Sequence, residues 1–143
     1  MTPSWSATSI PLDLFKELIF PLYQKLTTEI KAPIIFYTAG GEILPFANFF
    51  DKMGLIGVFP SANDDLKEIK KVSNQMYTIF GNINNLEFGD WTIDFMNEVI
   101  QKTIEIGKPK GRYVLSFQHM IPHNISNEKI ADFISIALKY SFY

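Results

Sequence analysis

A chain of 143 residues is one domain at most, and 47% hydrophobic residues with 13 phenylalanines give it ample material for a core. Its 13 Lys and Arg stand against 15 Asp and Glu, a net charge of −2 with the signs interspersed, which excludes a nucleic-acid stripe or a polybasic membrane patch. The absence of cysteine excludes disulfides, thiolate zinc sites and cysteine nucleophiles, and agrees with a reducing cytoplasm.

The apolar share is high for so small a body, so part of the apolar surface is expected to meet a partner. The opening MTPSWSATS lacks the basic-then-apolar order of a signal peptide. No apolar run approaches the ~20 residues of a membrane span. A soluble, cytoplasmic protein is the expectation.

Residues 1–10, rich in Ser, Thr and Pro, read as a loop or a disordered start. From Asp13 to Lys31 the positions Phe15, Leu18, Ile19, Leu22, Leu26 and Ile30 fall on one helical face. Pro21 should kink or divide that helix, because it lacks an N–H and its ring crowds the preceding turn. Ile34–Thr38 is a short strand closed by Ala39-Gly40-Gly41. Pro45–Met53 carries Phe46, Phe49, Phe50 and Met53 at helical spacing, with Gly54 as its cap, and Leu55–Phe59 is the next strand.

Asp64 or Asp65 starts a helix over Leu66–Asn74 with Leu66, Ile69 and Val72 buried. The strand Met76–Phe80 then delivers a Gly81-Asn82 turn to the carboxyl edge of a sheet. Asp90 or Thr92 caps a helix running to Ile106, striped by Ile93, Met96, Ile100 and Ile104. After the Lys108–Gly111 loop, Arg112–Phe117 is the fourth strand. Ser126 caps a last helix with Ile130, Phe133, Ile134, Ala137 and Leu138 inward, and Glu128 suits its dipole. Strands alternating with helices imply parallel pairing. The expected fold is α/β: a helix followed by four strand–helix units, either half of an eight-stranded barrel or a small open sheet covered on both faces.

Several segments together resemble the carboxyl-terminal part of the uroporphyrinogen decarboxylase superfamily, which also contains cobalamin-dependent methyltransferases of the coenzyme M type. Asp13–Tyr23 looks like the family's helix ending in Leu-Pro-Tyr. Asp65–Lys70 looks like its Asp-Leu-x-Glu-Ala-Lys helix start, and Gly81-Asn82-Ile83 like its Gly-Asn-(Ile/Leu/Val)-Asp-Pro turn. Tyr113–Pro122 followed by Ser126–Ile130 looks like its last strand, turn and Thr-Pro-Glu-Asn helix. The resemblance implies the second half of a (β/α)8 barrel, since such barrels need about 250 residues.

Departures qualify what the resemblance implies. The methyltransferase branch binds zinc through His-x-Cys-Gly, where this chain reads Tyr37-Thr38-Ala39-Gly40, and through a Cys near the last strand, where it has His119. One imidazole and a phenol do not make a tetrahedral, thiolate-rich site, so zinc-dependent methyl transfer is rejected and no metal or cofactor is expected. In the decarboxylase branch His119 falls where a substrate-contacting His stands, and Ser4 loosely matches a Ser before the long helix, one residue out of register. The family's substrate-binding basic groups and its key aspartate belong to an amino-terminal half that these 143 residues do not include.

His119 is thus the candidate catalytic residue, with Tyr37, Asn82, Asn84, Gln118 and Ser4 as candidate substrate contacts. Tyr113, Leu115, Phe117 and His119 share a face by the two-residue period. His119 is read equally as a hydrogen-bonded histidine at a sheet edge. Ser61 and Asn63 read as ordinary turn formers, and His123 as a loop residue. Arg112, the only arginine, precedes its strand and lies on the opposite edge.

A half barrel has unpaired edges and an inner face open to water. At about 25 cal/mol per Å2, a few hundred Å2 of exposed apolar surface amounts to several kcal/mol. The expectation is self-association or pairing with a separate amino-terminal half-barrel chain. Function divides into two classes: decarboxylase-like chemistry or binding of a tetrapyrrole or corrinoid ligand in a completed site, or a non-catalytic binding module or relic of a methyltransferase.

Overall fold

The structure, a computed structural model, describes residues 6–142. A leading helix comes first: α1 (Leu12–Leu14), a π-helical turn (Phe15–Ile19) and α2 (Phe20–Glu29) run on without a break. There follow β1 (Ile34–Tyr37), a 3-10 segment (Leu44–Phe49), β2 (Leu55–Phe59), α3 (Leu66–Ser73), β3 (Thr78–Phe80), α4 (Ile93–Gly107), β4 (Tyr113–Val114) and α5 (Asn127–Ser141). All pairings are parallel and the strand order is β1-β2-β3-β4. A doubly wound sheet would reverse its order at a switch point; this one winds one way only. The chain is therefore four parallel strand–helix units preceded by a helix, as in half of a (β/α)8-type barrel.

Local chemistry sets these boundaries. Asp65 caps α3 by accepting from the backbone of Lys67 and Glu68 at 2.8 and 3.1 Å, and Asn74 ends it in the left-handed conformation. Thr92 and Ser126 cap α4 and α5 in the same way. Pro21 does not break the leading helix. The wider π turn ends just before it, so the missing N–H falls at the first turn of α2.

One face of the sheet carries the core. Ile34, Phe36, Leu55, Val58 and Ile79 point to the helical layer, where Phe15, Tyr23, Phe46, Phe50, Met53, Leu66 and Ile69 meet them. Phe15 stacks on Phe46 at 4.2 Å between centroids, and Tyr23 meets Phe36 edge-on at 5.9 Å. A second cluster gathers Ile83, Phe88, Trp91, Met96, Ile100, Ile104 and Phe117 under α4 and α5.

Among the described residues no helix covers the other face. Ile35, Ile56 and Val114 on it are 43–45% exposed. Gly57 lies on this face under the Phe80 ring, where a Cβ would come within 2.7 Å of Cε2. A full barrel packs its interior in layers against the opposite strands; here that side ends at the surface.

Several expected burials are corrected. Leu18, Leu22, Leu26 and Ile30 are 41–59% exposed, because the leading helix turns Phe15, Ile19, Phe20 and Tyr23 inward instead. Ile93, Ile134 and Leu138 are also exposed. Tyr113, Leu115 and Phe117 face the helices, whereas His119, expected on their face, lies beside Tyr37. Pro45–Met53 is a 3-10 segment closed by turns, and the strands foreseen over Met76–Phe80 and Arg112–Phe117 shorten to Thr78–Phe80 and Tyr113–Val114. Beyond β4 pairing resumes only at the single bridge Ile83–Phe117.

Gly107 ends α4 directly beneath the Tyr113 ring, with room for no Cβ: three ring carbons would lie 2.4–2.5 Å from it. Gly107→Ala is expected to destabilise the fold by about 1–3 kcal/mol, read as a lowered urea midpoint with unchanged slope; an unchanged midpoint would contradict the packing of β4 on α4.

Candidate functional site

The carboxyl ends of the strands form a rim. At its centre, Asp64 is 7% exposed and accepts backbone N–H groups from both neighbouring loops. Its Oδ1 takes Ile43 and Leu44 at 3.1 and 2.9 Å; its Oδ2 takes Ile43 and Ser61 at 3.0 and 2.9 Å. Burial pushes its carboxyl above the ordinary range, the Leu44, Ile43 and Ser61 N–H groups offset this in part, and the nearby Glu42 adds to the rise.

The Gly81-Asn82 turn, whose peptide bond is cis, is fixed to the same loop. Asn82 Nδ2 donates to the carbonyls of Ser61 and Asp64 at 2.8 and 2.9 Å. Gln118 Oε1 accepts from Ala62 N at 2.6 Å and from Ser61 Oγ at 3.4 Å, while its Nε2 reaches Asn84 Oδ1 at 3.4 Å. Asn85 Nδ2 donates to Met120 O at 2.9 Å. The loops after β2, β3 and β4 are thus stitched together by side-chain amides.

Tyr37 and His119 meet at the mouth of the open face, with ring centroids 5.6 Å apart. Tyr37 also stands edge-on to Phe59 at 5.4 Å, and Phe59 stacks on Phe80 at 4.9 Å. The result is an aromatic row ending in an imidazole. Burial raises the Tyr37 hydroxyl, keeping it protonated and able to donate. His119 Nδ1 accepts Met120 N at 2.7 Å, so in the neutral ring Nε2 carries the proton.

The sequence-derived candidates therefore divide. Tyr37 and His119 come together on the open side. Asn82 and Asn84 instead line a separate cleft of about 480 Å3 with Trp91, Phe95 and Lys102 along α4, and Gln118 bridges the two regions. Ser4 lies outside the described residues. Asp64 was foreseen only as an alternative helix cap. Two adjacent acids where one cap is needed is the signal that one of them has another task.

The zinc set of the methyltransferase branch does not fit. Ala39 offers no donor, Tyr37 and His119 supply no thiolate, and the His119 Nδ1 lone pair already accepts a backbone N–H. Among the described residues no three His, Cys, Asp or Glu cluster as metal ligands. Nor is any helix among them long and apolar enough to cross a membrane.

Fold and rim define the class: a one-way α/β half barrel with its polar residues on the carboxyl edge. The chain belongs to the uroporphyrinogen decarboxylase (URO-D) family, whose profile matches residues 2–140. No curated protein matches the sequence. Among solved structures it is similar to a methyltransferase from Methanosarcina mazei, with a TM-score of 0.80 and 15% identity over 96% of this chain. The chain spans 40% of that protein's length. Family membership associates it with a decarboxylase superfamily, and the solved methyltransferase shows the fold alone.

Asp64→Ala strands three buried backbone donors, which at about 1–3 kcal/mol each predicts a loss of roughly 3–5 kcal/mol in urea unfolding. A loss below about 1 kcal/mol would contradict its role. Because its folded pKa is raised, the folded state binds the proton more readily, and stability falls as pH rises from the ordinary value near ~4 through the raised one. Asp64→Asn removes that slope; equal slopes in both proteins would contradict the assignment.

Proposed function

We propose that this chain forms part of a tetrapyrrole-binding barrel of the uroporphyrinogen decarboxylase type, with its ligand at the mouth of the open sheet face. The observation that carries this reading is the row Tyr37, Phe59 and Phe80 ending at His119. A row of aromatic side chains suits a large apolar macrocycle. The Tyr37 hydroxyl and His119 Nε2–H then offer hydrogen bonds at one end, and His119 is the residue placed to touch the reacting part of a bound substrate. Asn82, Asn84 and Gln118 shape the rim, and the Gln118 side chain holds the strand end from which His119 projects.

The mouth residues Tyr37, Phe59, Phe80, Gln118 and His119 carry no fixed cation. A ligand with several carboxylates would leave them unpaired in a partly buried site. Decarboxylation therefore requires a complementary half that contributes basic and acidic groups, and the isolated chain is a binding component, not a complete catalyst. The misfit of the zinc set supports one alternative, a non-catalytic module descended from a methyltransferase.

Titration with a porphyrin that lacks peripheral carboxylates, followed by absorbance, tests the reading. Saturable binding is expected, weakened about tenfold or more by His119→Ala, or about 1.4 kcal/mol, and likewise by Phe59→Leu. No saturable change, or equal binding by both variants, would overturn it.

A further inference from the structure

A second cavity lies away from the open sheet face, in the gap between α3 and α4. Tyr37, Phe59, Phe80 and His119 take no part in it, and both helices that wall it belong to this chain. Its volume of about 480 Å3 is that of an ordinary small-ligand site. Leu66 at the start of α3 and Ile83 after β3 form one side. Phe95, Val99, Lys102, Thr103 and Ile106 form the other, and their three- and four-residue spacing puts them in one stripe along α4.

The two ends of the stripe differ in chemistry. At the amino end Trp91 meets Phe95 edge-on at 5.4 Å. Trp91 is 8% exposed and Phe95 45%, so a buried ring and an open one stand side by side. Val99 continues the apolar wall one turn further on, and Lys102 follows it. Among the described residues Lys102 has no ion pair, although Glu98 and Glu105 are each one turn away; Glu105 is held by Gln101 at 2.8 Å instead. Next to it, Thr27, Thr28 and Ser135 have no counterpart in Thr103. Those three give their hydroxyls to the carbonyl four residues back, whereas Thr103 makes no such bond and keeps its hydroxyl for the cleft.

Asp64 and Glu87 also border the cleft. Asp64 is engaged by the N–H groups of Ile43, Leu44 and Ser61, and Glu87 stands at the Trp91 end. An anion is therefore favoured beside Lys102 and disfavoured at the opposite end.

We propose that this cleft binds a small aromatic carboxylic acid, with its ring against Trp91 and Phe95 and its carboxylate on Lys102 and Thr103. The ring gains apolar contact with an exposed phenyl group, and the carboxylate gains a charge-assisted hydrogen bond. Phe95 and Lys102 lie two helical turns apart, about 10 Å along the axis. The flexible Lys102 stem spans part of that distance, so a few carbons between ring and carboxylate bridge the rest. The proposal does not depend on the tetrapyrrole reading, since the two sites share neither the aromatic row nor His119.

The probe is 4-phenylbutyrate, titrated into the full chain and followed by amide NMR shifts. Saturable shifts are expected at residues 82–84 and 91–106, with none at Tyr37, Phe59 or His119. Lys102→Ala is expected to weaken binding about tenfold, or about 1.4 kcal/mol. The neutral 4-phenylbutyramide, which keeps the ring and loses the charge, is expected to bind the unaltered chain about tenfold more weakly, and this comparison holds whatever the variant does to folding. No saturation up to about 10 mM, equal binding of acid and amide, or shifts confined to the open sheet face would overturn the proposal. The porphyrin titration reads the other site, so failure of either leaves the other result standing.

Discussion

The rim of this half barrel depends on one buried carboxylate. Asp64 is largely buried and its two oxygens accept from Ile43, Leu44 and Ser61, so the loop after β1 and the loop after β2 are held by a single side chain. An apolar residue of similar size would leave those donors without this acceptor in a largely buried site. Asn82 and Gln118 extend the same arrangement to the turns after β3 and β4. The positions of Tyr37 and His119 follow from this lattice, because each projects from a strand end that the lattice fixes.

The same economy does not extend to the inner side. A four-stranded sheet with helices on one face buries one set of alternate residues and leaves the other set in water. Phe59 and Phe80 partly shield each other by stacking, and Gly57 leaves room for the Phe80 ring. Ile35, Ile56 and Val114 have no such cover.

Much of the architecture was legible in the chain. Strand β2 and the caps Asp65, Thr92 and Ser126 follow from patterns that local chemistry enforces. The number and parallel pairing of the strands follow from alternation with helices. What sequence periodicity could not settle was which side of an amphipathic element is covered. In the leading helix both Leu18-Leu22-Leu26 and Phe15-Ile19-Tyr23 recur at helical spacing, and only the position of Phe36 and Phe46 selects the second. On the fourth strand the two-residue period kept Tyr113, Leu115 and Phe117 together, on the side of the helices, but wrongly grouped His119 with them: beyond Phe117 the regular strand has ended, and His119 meets Tyr37 on the open side. At the site, His119 and Tyr37 were recognisable as strand-end residues, whereas the role of Asp64 depends on backbone donors more than 15 residues away in sequence, which no local pattern encodes.

The central claim is that one face of the sheet lies open. The chain has no cysteine, so single cysteines introduced at Ile35, Ile56 and Val114 report on that face directly through their rate of reaction with a thiol reagent. In the isolated chain at low concentration the account requires all three to react at a rate close to that of a cysteine at the exposed Leu86, and far faster than one at the buried Val58. Rates as slow as that of the Val58 position would mean that the face is already covered, and the half-barrel account would fail.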